Sequence, residues 1–156
     1  MSTTTPLPRL NLAETLPTAY AAIARLDRAA REGLDDRLRT LLELRVSQIN
    51  GCAFCLELHA RTLRELGESQ LRIDVLRAWR EVDLFDERER AALAFAEAVT
   101  LIHEHGVPDD VWAEAAAHFD ENELAALWTA CIVINAWNRV AITGRRQPDP
   151  THVPHS

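Results

Sequence analysis

Apolar residues recur every three or four positions through most of this 156-residue chain, and no stretch shows a sustained period-two alternation bounded by hairpin turns. That periodicity predicts an all-α fold, a compact bundle of about six to eight helices. A chain of this length with 47% apolar residues can bury a hydrophobic core as one domain. The helical pattern occupies residues 18–144. A proline-punctuated arm, residues 1–17, precedes it. A tail over residues 145–156, with three prolines and no apolar periodicity, follows it. Such a tail buries too little surface to offset its ordering entropy, so order there is expected only against a neighbouring subunit.

Within the domain, Tyr20, Ile23, Leu26 and Ala30 form a first stripe that stops at Gly33. Leu34, Leu38, Leu41, Leu42 and Ile49 mark a second helix. It should end at Asn50 and Gly51, residue types that tolerate the left-handed conformation. A third helix runs from Cys52 to Leu66 and is closed by Gly67, with Glu57, Arg61 and Glu65 on its solvent face. A short helix with Leu71, Val75 and Trp79 inward comes next. Asp86 with Glu89 and Asp120 with Glu123 match the reciprocal capping pattern and place two helix starts. Pro108 opens a short helix between them carrying Val111 and Trp112, and the last helix extends to about Thr143. Trp79, Trp112, Trp128 and Trp137 fall at inward positions and read as core or subunit-interface anchors.

Charge removes whole classes of function. A formal net charge of −7 argues against a nucleic-acid groove or an anionic membrane surface. All 17 basic residues are arginine, which excludes Schiff-base chemistry, lysine-bound pyridoxal phosphate and the lysine-bearing phosphate loop. Ser2 to Leu16 is polar and broken by Pro6 and Pro8, unlike a secretory leader, so the chain is expected in the cytoplasm. The longest apolar region, Leu124 to Ile142, is interrupted by Thr129, Asn135, Asn138 and Arg139 and reads as a buried helix, not a membrane span.

Three cysteines in a reducing compartment do not make a structural disulfide framework, which directs attention to their spacing. In Cys52-Ala53-Phe54-Cys55-Leu56-Glu57-Leu58-His59 the two thiols and the imidazole share one helix face, directed toward the apolar side. The first helical turn carries partial positive charge, so both Cys52 and Cys55 should ionise more readily than a free thiol. His59 can take a proton from Cys55 or hold one beside its anion. The thiols are also near enough to bridge. Zinc competes as a reading, but a closed site needs a fourth ligand and none lies nearby in sequence. Inert packing is a further alternative. Haem attachment is dismissed because Leu56, not histidine, follows Cys55. Cys131 reads as a packing residue, His103 and His105 as helix-end caps, and His152 and His155 as solvated. No cofactor and no metal is expected.

The run Leu44-Arg45-Val46-Ser47-Gln48-Ile49-Asn50-Gly51-Cys52-Ala53-Phe54-Cys55, followed by His59, resembles the signature of the alkylhydroperoxidase (AhpD-like) core domain within the carboxymuconolactone decarboxylase family. The resemblance extends through Ala78-Trp79-Arg80-Glu81, Glu87 to Thr100 and Ile134-Asn135-Ala136-Trp137-Asn138-Arg139. It implies a helical protomer that assembles into trimers or hexamers. It also implies a dithiol that reduces a small-molecule hydroperoxide and is reset by a dithiol reductant such as a lipoyl group. By position, Cys55 would attack the peroxide, Cys52 would resolve the intermediate and His59 would relay protons. The family's relay glutamate falls on Thr40 here, with Glu43 one turn later: either Glu43 substitutes or the relay is weakened. Two further readings remain beside the reductase: a lyase like the family's namesake, whose members generally lack the dithiol, and a thiol sensor that does not turn over.

Overall fold

The structure, a computed structural model, describes residues 7–152. In chain order it comprises α1 (Leu12–Thr15), α2 (Pro17–Arg31), α3 (Asp36–Asn50), α4 (Ala53–Glu65), α5 (Gln70–Val75), a 3-10 segment (Leu76–Glu81), α6 (Glu87–Thr100), α7 (Ile102–His105), α8 (Asp109–His118) and α9 (Glu121–Gly144), with a last 3-10 turn at Pro150–His152. No strand occurs among the described residues. The expected solvation of His152 and His155, and the first six residues of the arm, lie outside the described residues and side chains.

Local chemistry starts these helices where the sequence indicates. Asp35 accepts from the Leu38 N–H at the head of α3. Asp86 and Asp120 each form a reciprocal box with the glutamate three residues on, at the heads of α6 and α9. α9 is the element around which α2, α3 and α6 pack, and α3 also carries α4. Leu42, Val46, Phe95, Leu127 and Ile134 build the main core, and Leu41, Leu44, Leu63, Leu76 and Leu93 a second one beneath α4 and the 3-10 segment. By length and hydropathy alone α9 matches a membrane-crossing helix, more closely than its four polar interruptions suggest. In this fold its Leu124, Leu127, Ala130, Val133 and Ile134 are buried against neighbouring helices.

Several positions differ from the periodicity's expectation. Leu71 is 59% exposed, and the inward residues are Ile73, Leu76 and Trp79. Within α5 it is Ile73 that faces inward, and the 3-10 geometry from Leu76 then aligns side chains three apart, bringing Leu76 and Trp79 to the core. Leu66, expected on the apolar face of the third helix, is 41% exposed because it caps α4 at the surface. Trp112 and Trp128 are not core residues: they meet edge-on, with centroids 6.2 Å apart, as an exposed pair beside Ile132. The start of the tail makes a hydrogen bond within the chain. Arg146 N–H donates to the Ala141 carbonyl at 2.9 Å, and the Arg9 N–H of the arm donates to the Gly144 carbonyl at 3.1 Å.

Gly33 follows the end of α2, but its backbone is not left-handed. It is needed for close approach, since a Cβ there would lie 2.5 Å from the Ala126 Cβ on α9. Gly33→Ala should therefore separate α2 from α9 and destabilise the fold by about 1–3 kcal/mol, as overpacking does. Urea denaturation checks this, and Ala126→Gly in the same chain should restore most of the loss.

Candidate active site

The site is assembled where α3 turns directly into α4. Gly51 adopts φ +69°, and its N–H bonds to the Ser47 carbonyl. The Cys52 N–H bonds to the same carbonyl at 3.1 Å. This left-handed turn satisfies the end of one helix and begins the next within two residues. Cys52 is thereby the N-cap of α4, one position before the first helical turn expected for it. Its sulfur accepts the Cys55 N–H at 3.4 Å, taking the place that a serine or aspartate oxygen usually fills.

The two thiols divide the charge unequally. The Cys55 thiol donates to the Cys52 sulfur, and the Cys55 backbone N–H, the Asn138 amide and the Arg146 charge add to this. Against the cost of burial, they lower Cys52 to about 7. Cys55 is raised, because its proton is held in that bond, it is buried, and the Cys52 charge opposes a second ionisation. The expectation that both thiols ionise more readily holds in direction for Cys52 and is corrected for Cys55, whose thiol is raised. Both sulfurs are buried, and only Cys55 of the two lines the adjoining cleft.

His59, one turn beyond Cys55, places Nδ1 3.3 Å from Glu43 Oε2. Burial, reinforced by Arg39 and Arg31, lowers the imidazole to about 4. Burial raises the Glu43 carboxyl to about 7, although Arg39 donates to it at 2.8 Å. The contact is therefore between a neutral ring and a carboxyl group that exchanges its proton near neutrality, not an ion pair. Thr40 plays no part in it, since its hydroxyl donates to the Asp36 carbonyl at 2.6 Å. Glu43 is the carboxylate that reaches His59.

One group the sequence reading did not single out stands beside the sulfurs. Asn138 of α9 is fully buried and donates to the Ser47 hydroxyl at 3.0 Å, while Asn50 donates to its carbonyl oxygen at 2.9 Å. Ala141, one turn along α9, packs on both cysteines. The signal was a polar residue in the most apolar stretch of the chain, which reads equally as an interruption.

A cleft of about 950 Å³ opens over Cys55, Glu43 and His59. Its apolar wall includes Leu12, Tyr20, Phe54, Leu58 and Trp137, and its rim includes arm and tail residues. Trp137, expected as a core or subunit-interface anchor, packs against the main core and meets Tyr20 edge-on at 5.0 Å as part of this wall. Cys131 lies in the main core, its thiol pushed up to about 12 by burial, and is a packing residue. His103 and His105 are exposed in the last turn of α7. Among the described residues no three His, Cys, Asp or Glu side chains converge as a metal-ligand set, so the zinc reading finds no completed site.

Residues 17–98 match the model of the carboxymuconolactone decarboxylase family. The uncharacterized protein YdfG of Bacillus subtilis is 36% identical over 135 residues, 86% of this chain and 92% of that protein. A solved structure from Agrobacterium tumefaciens, a protein of unknown function suggested to be the antioxidant defence protein AhpD, is 39% identical. It superposes with a TM-score of 0.88 over 92% of this chain and 99% of that one. A peroxidase-related protein with an alkylhydroperoxidase AhpD core from Ralstonia eutropha shares the fold at 23% identity, with a TM-score of 0.77 over 91% of this chain and 76% of that one.

The opposed shifts of Glu43 and His59 have opposite linkage. Glu43 is raised in the fold, so its stabilising contribution is complete below the unfolded value of 4.5 and is lost as pH rises through about 7. His59 is lowered, so its contribution is complete above 6.5 and is lost as pH falls toward about 4. Glu43→Gln should therefore gain stability relative to the parent between pH 4.5 and 7, whereas His59→Gln should gain relative to the parent as pH falls below 6.5. Urea midpoints measured across that range check both directions.

Proposed function

Because the chain belongs to the carboxymuconolactone decarboxylase family and joins a CxxC thiol pair to a buried imidazole and carboxyl, we propose that it is a thiol-dependent hydroperoxide reductase. The observation that carries this reading is the buried thiol pair at the head of α4, with Cys55 lining a cleft that His59 and Glu43 also line. The AhpD-type structural relatives support it as well. A proton shift from Cys55 to Cys52 along their hydrogen bond makes the cleft-facing sulfur the thiolate.

The Cys55 thiolate attacks the distal peroxide oxygen and the O–O bond breaks, giving a Cys55 sulfenic acid and an alkoxide. The alkoxide takes a proton from the imidazole, which Glu43 resupplies through Nδ1, and leaves as the alcohol. The Cys52 thiol then displaces water from the sulfenic acid, forming the Cys52–Cys55 disulfide. The hydroperoxide has gained two electrons from the two thiols, and an external dithiol of the lipoyl kind returns them by exchange. Apart from the resetting dithiol, every group used is a side chain of this protein.

Oligomerisation belongs to the same reading, supported by the exposed Trp112, Trp128 and Ile132 patch. Sedimentation should show more than one copy, and a monomer would remove that part.

With cumene hydroperoxide and dihydrolipoamide as reductant, the purified protein should show steady turnover. Cys55→Ser should abolish it. Cys52→Ser should allow one oxidation event per chain and then stop. His59→Gln should lower the rate by about 100-fold to 10,000-fold, the usual contribution of a positioned acid or base. Undiminished turnover in a folded Cys55→Ser protein would overturn the proposal.

A further inference from the structure

The geometry points to Asn138 as a catalytic hydrogen-bond donor, held by its neighbours so that its one remaining amide N–H faces the Cys52 and Cys55 sulfurs and steadies negative charge on them. This role deepens the proposed function and rests on the thiol pair being the reacting group. Its test reads sulfur ionisation alone and does not depend on peroxide turnover.

The argument is one of donor and acceptor bookkeeping. A buried side-chain amide has two N–H donors and one carbonyl acceptor, and leaving any of them unpaired is costly. The Ser47 hydroxyl donates to the Glu43 carbonyl at 2.7 Å, so toward Asn138 it can only accept. It does so from Asn138 Nδ2 at 3.0 Å. On the other edge, Asn138 Oδ1 accepts from Asn50 Nδ2 at 2.9 Å. The second Asn50 N–H donates to Asn135 Oδ1 at 3.0 Å, and Asn135 in turn donates to the Cys131 carbonyl at 2.9 Å and the Thr100 hydroxyl at 3.1 Å. Reversing the Asn138 amide would set its nitrogen against the donating Asn50 amide. Its orientation is therefore fixed, and the hydrogen bonds to Ser47 and Asn50 leave its second Nδ2–H free to meet the sulfurs.

Independent packing places that hydrogen where it is needed. Ala141, on the same face of α9, sits against both cysteines, and the Cys52 N–H is tied to the Ser47 carbonyl. Asn138 side-chain hydrogen bonding favours the ionised form of each thiol. An oriented donor in a site shielded from water stabilises developing charge without reorganising as the charge moves between the sulfurs.

The test is the pH dependence of iodoacetamide alkylation in the full-length reduced protein. In the parent the midpoint should lie near 7. Asn138→Ala should raise it by about one pH unit and slow alkylation at pH 7 on the order of fivefold. Asn138→Asp, isosteric but without the donor, should raise it further. Asn135→Ala, which removes an amide from the same network away from the sulfurs, should leave it in place. An unchanged midpoint in Asn138→Ala, or an equal rise in Asn135→Ala, would overturn the role. Nuclear magnetic resonance of the unmutated protein gives a second reading if these variants do not fold. The Asn138 side-chain amide protons should titrate with the thiol midpoint, and a flat profile would equally overturn it.

Discussion

The left-handed turn at Gly51 is the constraint on which the site depends. Two successive N–H groups close on the Ser47 carbonyl, so α3 ends and α4 begins with no loop between them. A longer connection would let the two helix ends move independently. This one fixes the C-terminal half of α3, carrying Glu43 and Ser47, against the start of α4, with Cys52 as its N-cap and Cys55 in its first turn. It also requires an N-cap at position 52, and the side chain there is a thiol. The sulfur thus receives the partial positive charge of a helix start by virtue of chain geometry.

The acid–base half of the site depends on a different balance. Glu43 and Arg39 are both buried, and taking such a pair out of water costs nearly as much as their attraction returns. Arg39 also reaches Asp36, so its charge is shared, and Glu43 keeps a carboxyl that titrates near neutrality. A fully exposed carboxylate would remain ionised and give up no proton. A buried one without Arg39 would stay protonated well above neutrality. Burial, reinforced by Arg39 and Arg31, also keeps His59 neutral.

Most of the fold was legible because helix periodicity, capping boxes and glycine stops act locally. Asp86 with Glu89, Asp120 with Glu123, and Gly51 each fix an element through neighbours a few residues away. Cys52, Cys55 and His59 were legible for the same reason, since one helix brings them together. The misreadings arise where the local rule changes or where distant elements decide. The inward face after Leu71 is set by Ile73 within α5 and then by the 3-10 geometry from Leu76. Gly33 ends no helix by its own backbone and is required by Ala126, which lies far away in sequence. The easing of ionisation that Asn138 and Arg146 bring to both thiols comes from the far end of the chain. The arm and tail lack periodicity and read as appendages, yet the arm bonds to the end of α9 at Gly144 and both line the rim of the cleft.

The use of cysteine as a helix cap also ties oxidation to the start of α4. In the reduced protein the Cys52 sulfur carries charge and accepts from the Cys55 backbone N–H and the Cys55 thiol. Forming the disulfide removes that charge, consumes the thiol donor and leaves a sulfur that accepts hydrogen bonds weakly. Every interaction that favours the Cys52 thiolate therefore favours the reduced state over the bridged one, and makes the disulfide easier to reduce. A pair arranged in this way is suited to being returned to its dithiol form in each cycle, whereas a structural bridge requires the opposite balance. In the proposed cycle, the cap at Cys52 and the bias that regenerates the dithiol are one physical feature.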